Sequence, residues 1–142
     1  MLQRLLDLAS VLRRGRSAVH LGRAGEAVAA KSLRRAGFRV IGRNLHVPMG
    51  EADLLCLAPD RRTIVLVEVK TRAIARGEQT AFLPPEAAIT AQKRARLGAI
   101  LRHLQRANRW TNRPVRIDVV AVDWPVGGKP VVRHHADAVS VR

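Results

Sequence analysis

Two acidic residues and a lysine stand at the ends of two apolar segments, and they are the residues best suited to chemistry. Glu68 follows the run Thr63-Ile64-Val65-Leu66-Val67, and Lys70 lies two residues further on. Asp53 precedes a second apolar run, which begins at Leu54. Because side chains two apart in a strand share a face, we expect Glu68 and Lys70 to project together. Such a charged pair at the mouth of a buried strand, with a further acid nearby, is typical of a metal-dependent nuclease.

The connection between the two apolar runs predicts how these acids meet. Only Pro59-Asp60-Arg61-Arg62 separates the runs, and this composition indicates a hairpin turn. In a hairpin centred there, Asp53 would face Glu68, although a β-bulge would shift the register. Opposed carboxylates repel each other unless a cation lies between them, which favours a bound divalent metal, Mg²⁺ or Mn²⁺. The backbone carbonyl near Val69 would then join Asp53 and Glu68 as a metal ligand.

Two observations bear on how specific this pattern is. An E-x-K triplet alone is more often a solvent-exposed ion pair than a nuclease motif. Here Glu68 follows five apolar or β-branched residues, which places it at the edge of a buried strand.

Lys93 lies on the predicted buried stripe of a helix, four and seven residues before Leu97 and Ile100. A lysine there either extends to solvent or meets a carboxylate, and the sequence leaves both alternatives open.

The charge of the chain predicts a polyanionic partner. There are 26 Lys and Arg residues against 11 Asp and Glu, which gives a formal net charge of +15. Such a surface gains affinity for nucleic acid by releasing counterions from phosphates, although a basic surface also aids solubility. Aromatic residues make up 3% of the chain, and Tyr is absent. Because few side chains could stack on bases, duplex or branched DNA bound through its backbone is favoured over single strands.

The length and composition of the chain predict one soluble, cytoplasmic domain. At 142 residues a second domain is not expected, and no stretch reaches the roughly 18 apolar residues that a membrane span needs. The single Cys56 lies in an apolar run and fits a small core residue in a reducing compartment. We expect residues 1–18 to form an N-terminal extension with a loosely attached helix, 19–125 the domain, and 126–142 a C-terminal tail.

The order of the predicted elements indicates an α/β fold with a mixed sheet. Apolar periodicity predicts a helix, three strands, a second helix and a further strand. The expected bounds are helix 21–36, strands 38–46, 53–58 and 63–71, a helix to residue 107 beginning at Pro84-Pro85 or Thr90, strand 115–122, and a short edge strand at 131–133. A polar loop at 73–85 is long enough to be functional. Helices flanking a mixed sheet give a three-layer core.

From residue 20 to residue 122 the chain resembles the YraN-type family of small bacterial proteins. The resemblance rests on an ordered set of motifs: Gly25-Glu26 with Ala29 and Leu33, Gly37-Phe38, Arg43-Asn44, Gly50-Glu51-Ala52-Asp53-Leu54, Val67-Glu68-Val69-Lys70-Thr71-Arg72, Lys93-Arg94, and Arg116-Ile117-Asp118-Val119-Val120. Ala52 is a departure, since the family pattern usually has Ile there. The resemblance implies the fold of restriction endonucleases and archaeal Holliday-junction resolvases, the PD-(D/E)XK superfamily.

The resemblance also implies roles for individual residues. Asp53, Glu68 and Lys70 match the D…ExK signature, and Glu26 would bring a further carboxylate from a helix. Helical geometry alone places Glu26 only at the border of its apolar face. Together with Lys93 these residues form the predicted catalytic set, and the predicted phosphate contacts are Arg43, Arg72, Arg76 and Arg94.

Three functions remain open from the sequence. The first is Mg²⁺-dependent hydrolysis of phosphodiesters in duplex or branched DNA. The second is a non-catalytic nucleic-acid-binding module on the same fold, and the third is an adaptor for ribosomal or protein partners. A symmetric homodimer would suit two-fold substrates such as junctions. Asp118 is predicted to pair with an arginine in a structural role, and the adjacent His134 and His135 do not have zinc-ligand spacing.

Overall fold

The first helix packs its apolar stripe on one face of the sheet. The computed structural model describes residues 20–75 and 89–141, and α1 occupies residues 20–35 of this range. Ala29, Ala30 and Leu33 are its buried hydrophobic residues. The chain leaves the helix at Gly37, whose φ of +92° is the left-handed conformation that glycine adopts without a Cβ clash. The predicted stop signal is therefore confirmed.

In the described part of the chain, five strands form one mixed sheet in the order β1-β2-β3-β4-β5. The strands are β1 (Arg39–Val47), β2 (Gly50–Leu57), β3 (Ile64–Ile74), β4 (Val115–Pro125) and β5 (Val131–Val139). β3 and β4 pair in parallel, whereas the other neighbouring strands are antiparallel. The parallel connection contains the second helix, α2 (Ala91–Ala107), as a crossover between parallel strands requires.

The two helices cover opposite faces of this sheet. One core cluster joins α1 to Leu54, Val65 and Val67, and we call it the α1-side cluster. The other joins α2 to Leu55 and Leu66, and we call it the α2-side cluster. Adjacent strand residues thus enter different clusters, as the two-residue period of a strand requires. The predicted α/β architecture with a mixed sheet between helices is confirmed and is consistent with a restriction-endonuclease-like core.

Element bounds differ from the predictions where polar residues continue a strand. β2 begins at Gly50, and β3 continues to Ile74, because their polar ends pair with β1 and β4 respectively. The predicted short edge strand is the nine-residue β5, and its last residue, Val139, is buried in the α2-side cluster. Thr90 is the N-cap of α2 and accepts a hydrogen bond from the Lys93 backbone N–H at 3.1 Å. Pro84-Pro85 lies outside the described residues.

The predicted N-terminal extension, residues 1–18, also lies outside the described part of the chain. Within residues 20–75 and 89–141, no helix is both long and apolar enough to cross a membrane. Cys56 is buried with its thiol free. Burial, together with the neighbouring Asp118 carboxylate, raises the pKa of this thiol to about 11, so it is a core residue rather than a nucleophile.

Candidate active site

The β2–β3 hairpin has the predicted register, but regular pairing ends next to the acids. Leu54 pairs with Val67, and the pairs continue to Leu57 with Ile64 at the turn. Beyond Leu54 the side-chain alternation of β2 breaks, since Ala52 belongs to the α2-side cluster and Leu54 to the α1-side cluster. Two residues that a regular strand would place on the same face therefore lie on opposite faces. Asp53 occupies the point where the strand changes face.

Where the pairing of β2 with β3 ends, the side chain of Asp53 accepts the hydrogen bond of a β3 backbone N–H. The Val69 backbone N–H donates a hydrogen bond to Asp53 Oδ2 at 2.7 Å. On β1, the residue between the partners of Ala52 and Leu54 is Asn44, which has a φ of 47°. A left-handed non-glycine residue at this point lets β1 follow the change of face in β2. Asp53 is thus held against the middle of β3 by a backbone N–H.

Close packing between α1 and β3 brings Glu26 to the carboxyl group of Asp53. A Cβ atom on Gly25 would lie 1.8 Å from Thr71 Oγ1, so only glycine allows the helix to approach this closely. The next residue, Glu26, forms a hydrogen bond with the Asp53 carboxyl group. The resemblance implied this carboxylate, which the helical period alone did not select.

Glu68 meets the lysine from the other helix. Its side chain is 6% exposed, and Glu68 Oε1 forms an ion pair with Lys93 Nζ at the first turn of α2. Of the two alternatives for Lys93, the structure shows the carboxylate contact. Lys70 is half-buried, and its positive charge also acts on Glu68. The lysines therefore surround the one buried glutamate of the group.

The electrostatics show that the three carboxyl groups interact. Burial raises the pKa of Glu68, and the negative charge of Asp53 raises it further, against the opposing effects of Lys93 and Lys70. Burial also raises the pKa of Glu26, and so do the charge of Asp53 and the hydrogen bond between the two carboxyl groups. Such mutual repulsion among carboxylates is the condition that a bound cation relieves.

The donor set suits a hard divalent cation, although neighbouring groups satisfy it in this structure. Carboxylate oxygens are the ligands that Mg²⁺ prefers. Within residues 20–75 and 89–141, however, no group of three or more His, Cys, Asp or Glu side chains is arranged to hold a metal ion. Glu68 is ion-paired to Lys93, and Asp53 accepts the Val69 N–H. The oxygens therefore fit a metal by chemistry, and the ammonium of Lys93 is the cation that Glu68 contacts.

A cleft of about 590 Å³ lies beside the acids, between α1 and the β1–β2 hairpin. We call it the hairpin cleft, and its lining residues are Arg23, Glu26, Ala27, Arg43, Asn44, His46, Glu51, Ala52 and Asp53. At its exposed edge, His46 Nδ1 lies 3.1 Å from Glu51 Oε1. Sequence reasoning selected Arg43 but missed Arg23. Its position three residues before Glu26, one helical turn away, was the available signal.

The predicted phosphate contacts have different surroundings. Arg43 is exposed and lines the hairpin cleft. Arg72 Nε lies 3.4 Å from Asp123 Oδ1, and the side chain of Arg72 is 44% exposed. Arg94 is exposed on the first turn of α2, next to Lys93. Arg76 lies outside the described residues.

Two further buried acids have structural partners. Asp118 accepts hydrogen bonds from Arg116 Nε at 2.9 Å and from the Asp137 backbone N–H at 2.9 Å, and lies 2.7 Å from His134 Nε2. The predicted pairing of Asp118 with an arginine is confirmed. Asp123 accepts a hydrogen bond from Arg133 Nη2 at 2.7 Å. These contacts join β4 to its neighbours and lie apart from the acidic group of Glu26, Asp53 and Glu68.

Comparisons with known proteins show relatives over most of the chain. The profile described as "Uncharacterised protein family UPF0102" matches residues 25–122. The chain is 37% identical to a UPF0102 protein of Renibacterium salmoninarum over 119 residues, which are 84% of this chain and 95% of that protein. It is 41% identical to the UPF0102 protein of Clavibacter michiganensis over 112 residues, covering 79% of this chain and 89% of the relative.

One solved structure, that of Pyrococcus furiosus SfsA in complex with Ca²⁺, aligns with a TM-score of 0.37 and 16% sequence identity. The alignment covers 83% of this chain and 63% of that chain, and a similarity of this size carries no argument about fold or function. The assignment rests on the family profile and on relatives aligned over most of their length. The chain therefore belongs to the UPF0102 family, the YraN-type family that its motifs resemble.

Proposed function

We propose that the protein is a Mg²⁺-dependent endonuclease that hydrolyses phosphodiesters in duplex or branched DNA. The observation that carries the proposal is the convergence of Glu26, Asp53 and Glu68 with two lysines where the pairing of β2 with β3 ends. Acids whose pKa values are raised by burial and by one another mark a functional site more often than a purely structural one. The net charge of +15 supports a phosphate-rich substrate.

The residues that would hold Mg²⁺ are Asp53 and Glu68, with the backbone carbonyl of Val69. Mg²⁺ bound there would polarise the phosphate and favour ionisation of an attacking water. Asp53 is fixed for this role because the Val69 N–H donates a hydrogen bond to Asp53 Oδ2. Glu68 is the last residue of the buried run of β3, and the apolar residues that precede it hold it in place.

Lys70 and Lys93 supply positive charge on either side of Glu68. Lys70 follows Glu68 by two residues on β3 and therefore shares its face of the sheet. In the proposed reaction Lys70 orients the attacking water or stabilises the charge that develops on the phosphate. Lys93 ion-pairs with Glu68 and opposes the rise in its pKa that burial and the Asp53 charge cause. Glu26, whose pKa is raised by burial and by Asp53, adds a third carboxyl group to the site.

The proposal predicts that cleavage depends on Asp53 and Glu68. Purified protein is incubated with linear duplex, branched and single-stranded DNA in Mg²⁺ or Mn²⁺, beside Asp53→Asn and Glu68→Gln. We expect cleavage of branched or duplex DNA by the wild type and a loss of about 100-fold or more in either variant, because each removes a charged oxygen ligand. DNA affinity should stay within about threefold, since phosphate contacts dominate it.

The control is Asp137→Asn, an exposed acid on β5 whose φ of 53° suits asparagine. This variant should cut like the wild type. Retention of full cleavage by a clean preparation of Glu68→Gln would sink the assignment of the site.

A non-catalytic nucleic-acid-binding module is the second candidate. The observation that favours it is the ion pair between Glu68 and Lys93, which satisfies the buried carboxylate without a metal. On this alternative the wild type binds DNA with a strong salt dependence but leaves it intact under every metal condition. The cleavage assay therefore separates the two functions directly.

A further inference from the structure

The hairpin cleft has two arginines close to its acidic residues. Glu26 and Asp53 are the acids that it shares with the candidate active site. Arg23 belongs to α1 and Arg43 to β1, so the two cations come from opposite walls of the cleft. The positive charge of Arg23 acts on Glu26. An anion entering the cleft thus meets arginines and carboxylates within one site.

The surrounding packing fixes both walls. Gly25, two residues after Arg23, is held against Thr71 by the close approach of α1 to β3. Arg43 pairs with Leu54 across β1 and β2, and the left-handed Asn44 follows it directly. Strained backbone of this kind persists where the surrounding structure holds it, and such positions are concentrated at functional sites. Neither arginine is therefore carried by a long unsupported loop.

The residues that line the hairpin cleft favour binding of the DNA phosphate backbone over binding of a base. Arginine forks match phosphate oxygens in geometry and charge. The described lining includes no Phe or Trp, and its imidazole, His46, is within ion-pair distance of Glu51. A base would find little to stack on. The cleft volume of about 590 Å³ is typical of a small-molecule site and leaves room for a phosphate group.

We propose that Arg23 and Arg43 together bind one phosphate of the DNA strand, adjacent to the phosphate held at the acidic centre. This proposal rests on the proposed function and adds a subsite to it. Its physical reason is repulsion, because Glu26 and Asp53 would push a polyanionic strand away from the site. Two guanidinium groups beside those acids offset this repulsion and align the strand with them.

The first test measures duplex DNA affinity in EDTA as a function of salt for the wild type, Arg23→Ala, Arg43→Ala and the double variant. Each single variant should leave the slope of log K against log[salt] nearly unchanged, because the remaining arginine still neutralises the shared phosphate. The double variant should lower the slope by about 0.9, the contribution of one phosphate. The matched control is Arg106→Ala, an exposed arginine about 20 Å along α2 from Lys93, which should leave the slope unchanged.

A second test identifies the phosphate itself. Duplexes carrying one neutral methylphosphonate linkage at successive positions are bound to the wild type and to the double variant. At one position the neutral linkage should weaken wild-type binding several-fold and leave the double variant unaffected. Three results would each overturn the subsite. Each single variant could lose slope on its own and the losses could add up in the double variant, no such methylphosphonate position could be found, or the wild type could fail to bind DNA. Binding that follows the proposal without cleavage would contradict the nuclease function alone.

Discussion

At the scale of single residues, the buried acids of this protein divide by the groups that face them. Asp118 has two hydrogen-bonding side chains and a backbone N–H around it, whereas Glu68 and Glu26 face another carboxyl group. Burial raises the pKa of Asp118, but the hydrogen bonds from His134, Arg116 and the Asp137 N–H outweigh it and leave the pKa below its usual value. The pKa of Glu68 and of Glu26 is raised instead. A carboxyl group is thus structural on β4, whereas those on β3 and α1 are candidates for chemistry.

The lowered pKa of Asp118 predicts a stability effect that disappears in acid. Asp118→Asn should reduce the free energy of unfolding at pH 7 by about 1.5–3 kcal/mol, because a buried charged acceptor is lost. A depressed carboxyl pKa stabilises the fold above the unfolded pKa of about 3.9, and this contribution is lost as pH falls through the folded pKa. The difference in Tm between wild type and variant should therefore narrow below about pH 4.

Asp137→Asn is the matched control for this prediction, since its carboxyl group is exposed on the neighbouring strand. Its Tm should follow that of the wild type from pH 7 to pH 3. An Asp118→Asn deficit that stays constant over this range would show that the carboxylate charge contributes nothing to stability.

At the scale of elements, the distance between α1 and β3 decides whether Glu26 reaches Asp53. Gly25→Ala places a methyl group against Thr71, so the helix must move, and we expect a loss of about 1–3 kcal/mol in the free energy of unfolding. The cleavage activity of Gly25→Ala should also fall, because Glu26 moves with the helix. Gly22→Ala on the same helix is the control. Because nothing lies within 4 Å of its added Cβ, this variant should raise the free energy of unfolding by about 0.5–1 kcal/mol. Urea titration of both variants, with Thr71→Ala as a partial rescue of Gly25→Ala, checks the argument.

The elements also show which parts of the site the sequence could predict. The apolar runs of β2 and β3 predicted the hairpin register, since a period of two specifies which residues face each other. The break at Asp53 was not predictable, because it depends on Asn44 of β1 adopting a left-handed conformation. Glu26 likewise reaches the site through a helix-to-sheet contact at Gly25, which no periodicity encodes. Local pattern thus predicted the strands, and tertiary contacts decided how the acids meet.

At the scale of the whole molecule, the charge balance of the acidic group links metal binding to folding. Lys93→Met removes the ion-pair partner of buried Glu68, and we expect it to lower the free energy of unfolding by about 1–3 kcal/mol without metal. Saturating Mg²⁺ should restore part of the lost free energy of unfolding. An ion that binds only the folded chain raises this free energy by about 2.7 kcal/mol at 100 times its Kd. The gain in Tm from Mg²⁺ should therefore be larger in Lys93→Met than in the wild type.

Two further variants make this comparison specific to the acidic group. Lys31→Met removes an exposed lysine from α1 and should leave both the Tm and its response to Mg²⁺ unchanged. Asp53→Asn should abolish the Mg²⁺ response, because a carboxylate ligand is lost. Calorimetric scans in EDTA and in millimolar Mg²⁺ measure all four proteins under the same conditions. An equal Tm deficit of Lys93→Met in both buffers would mean that Mg²⁺ does not bind at Glu68, and the protein would then be better described as a metal-independent DNA-binding module.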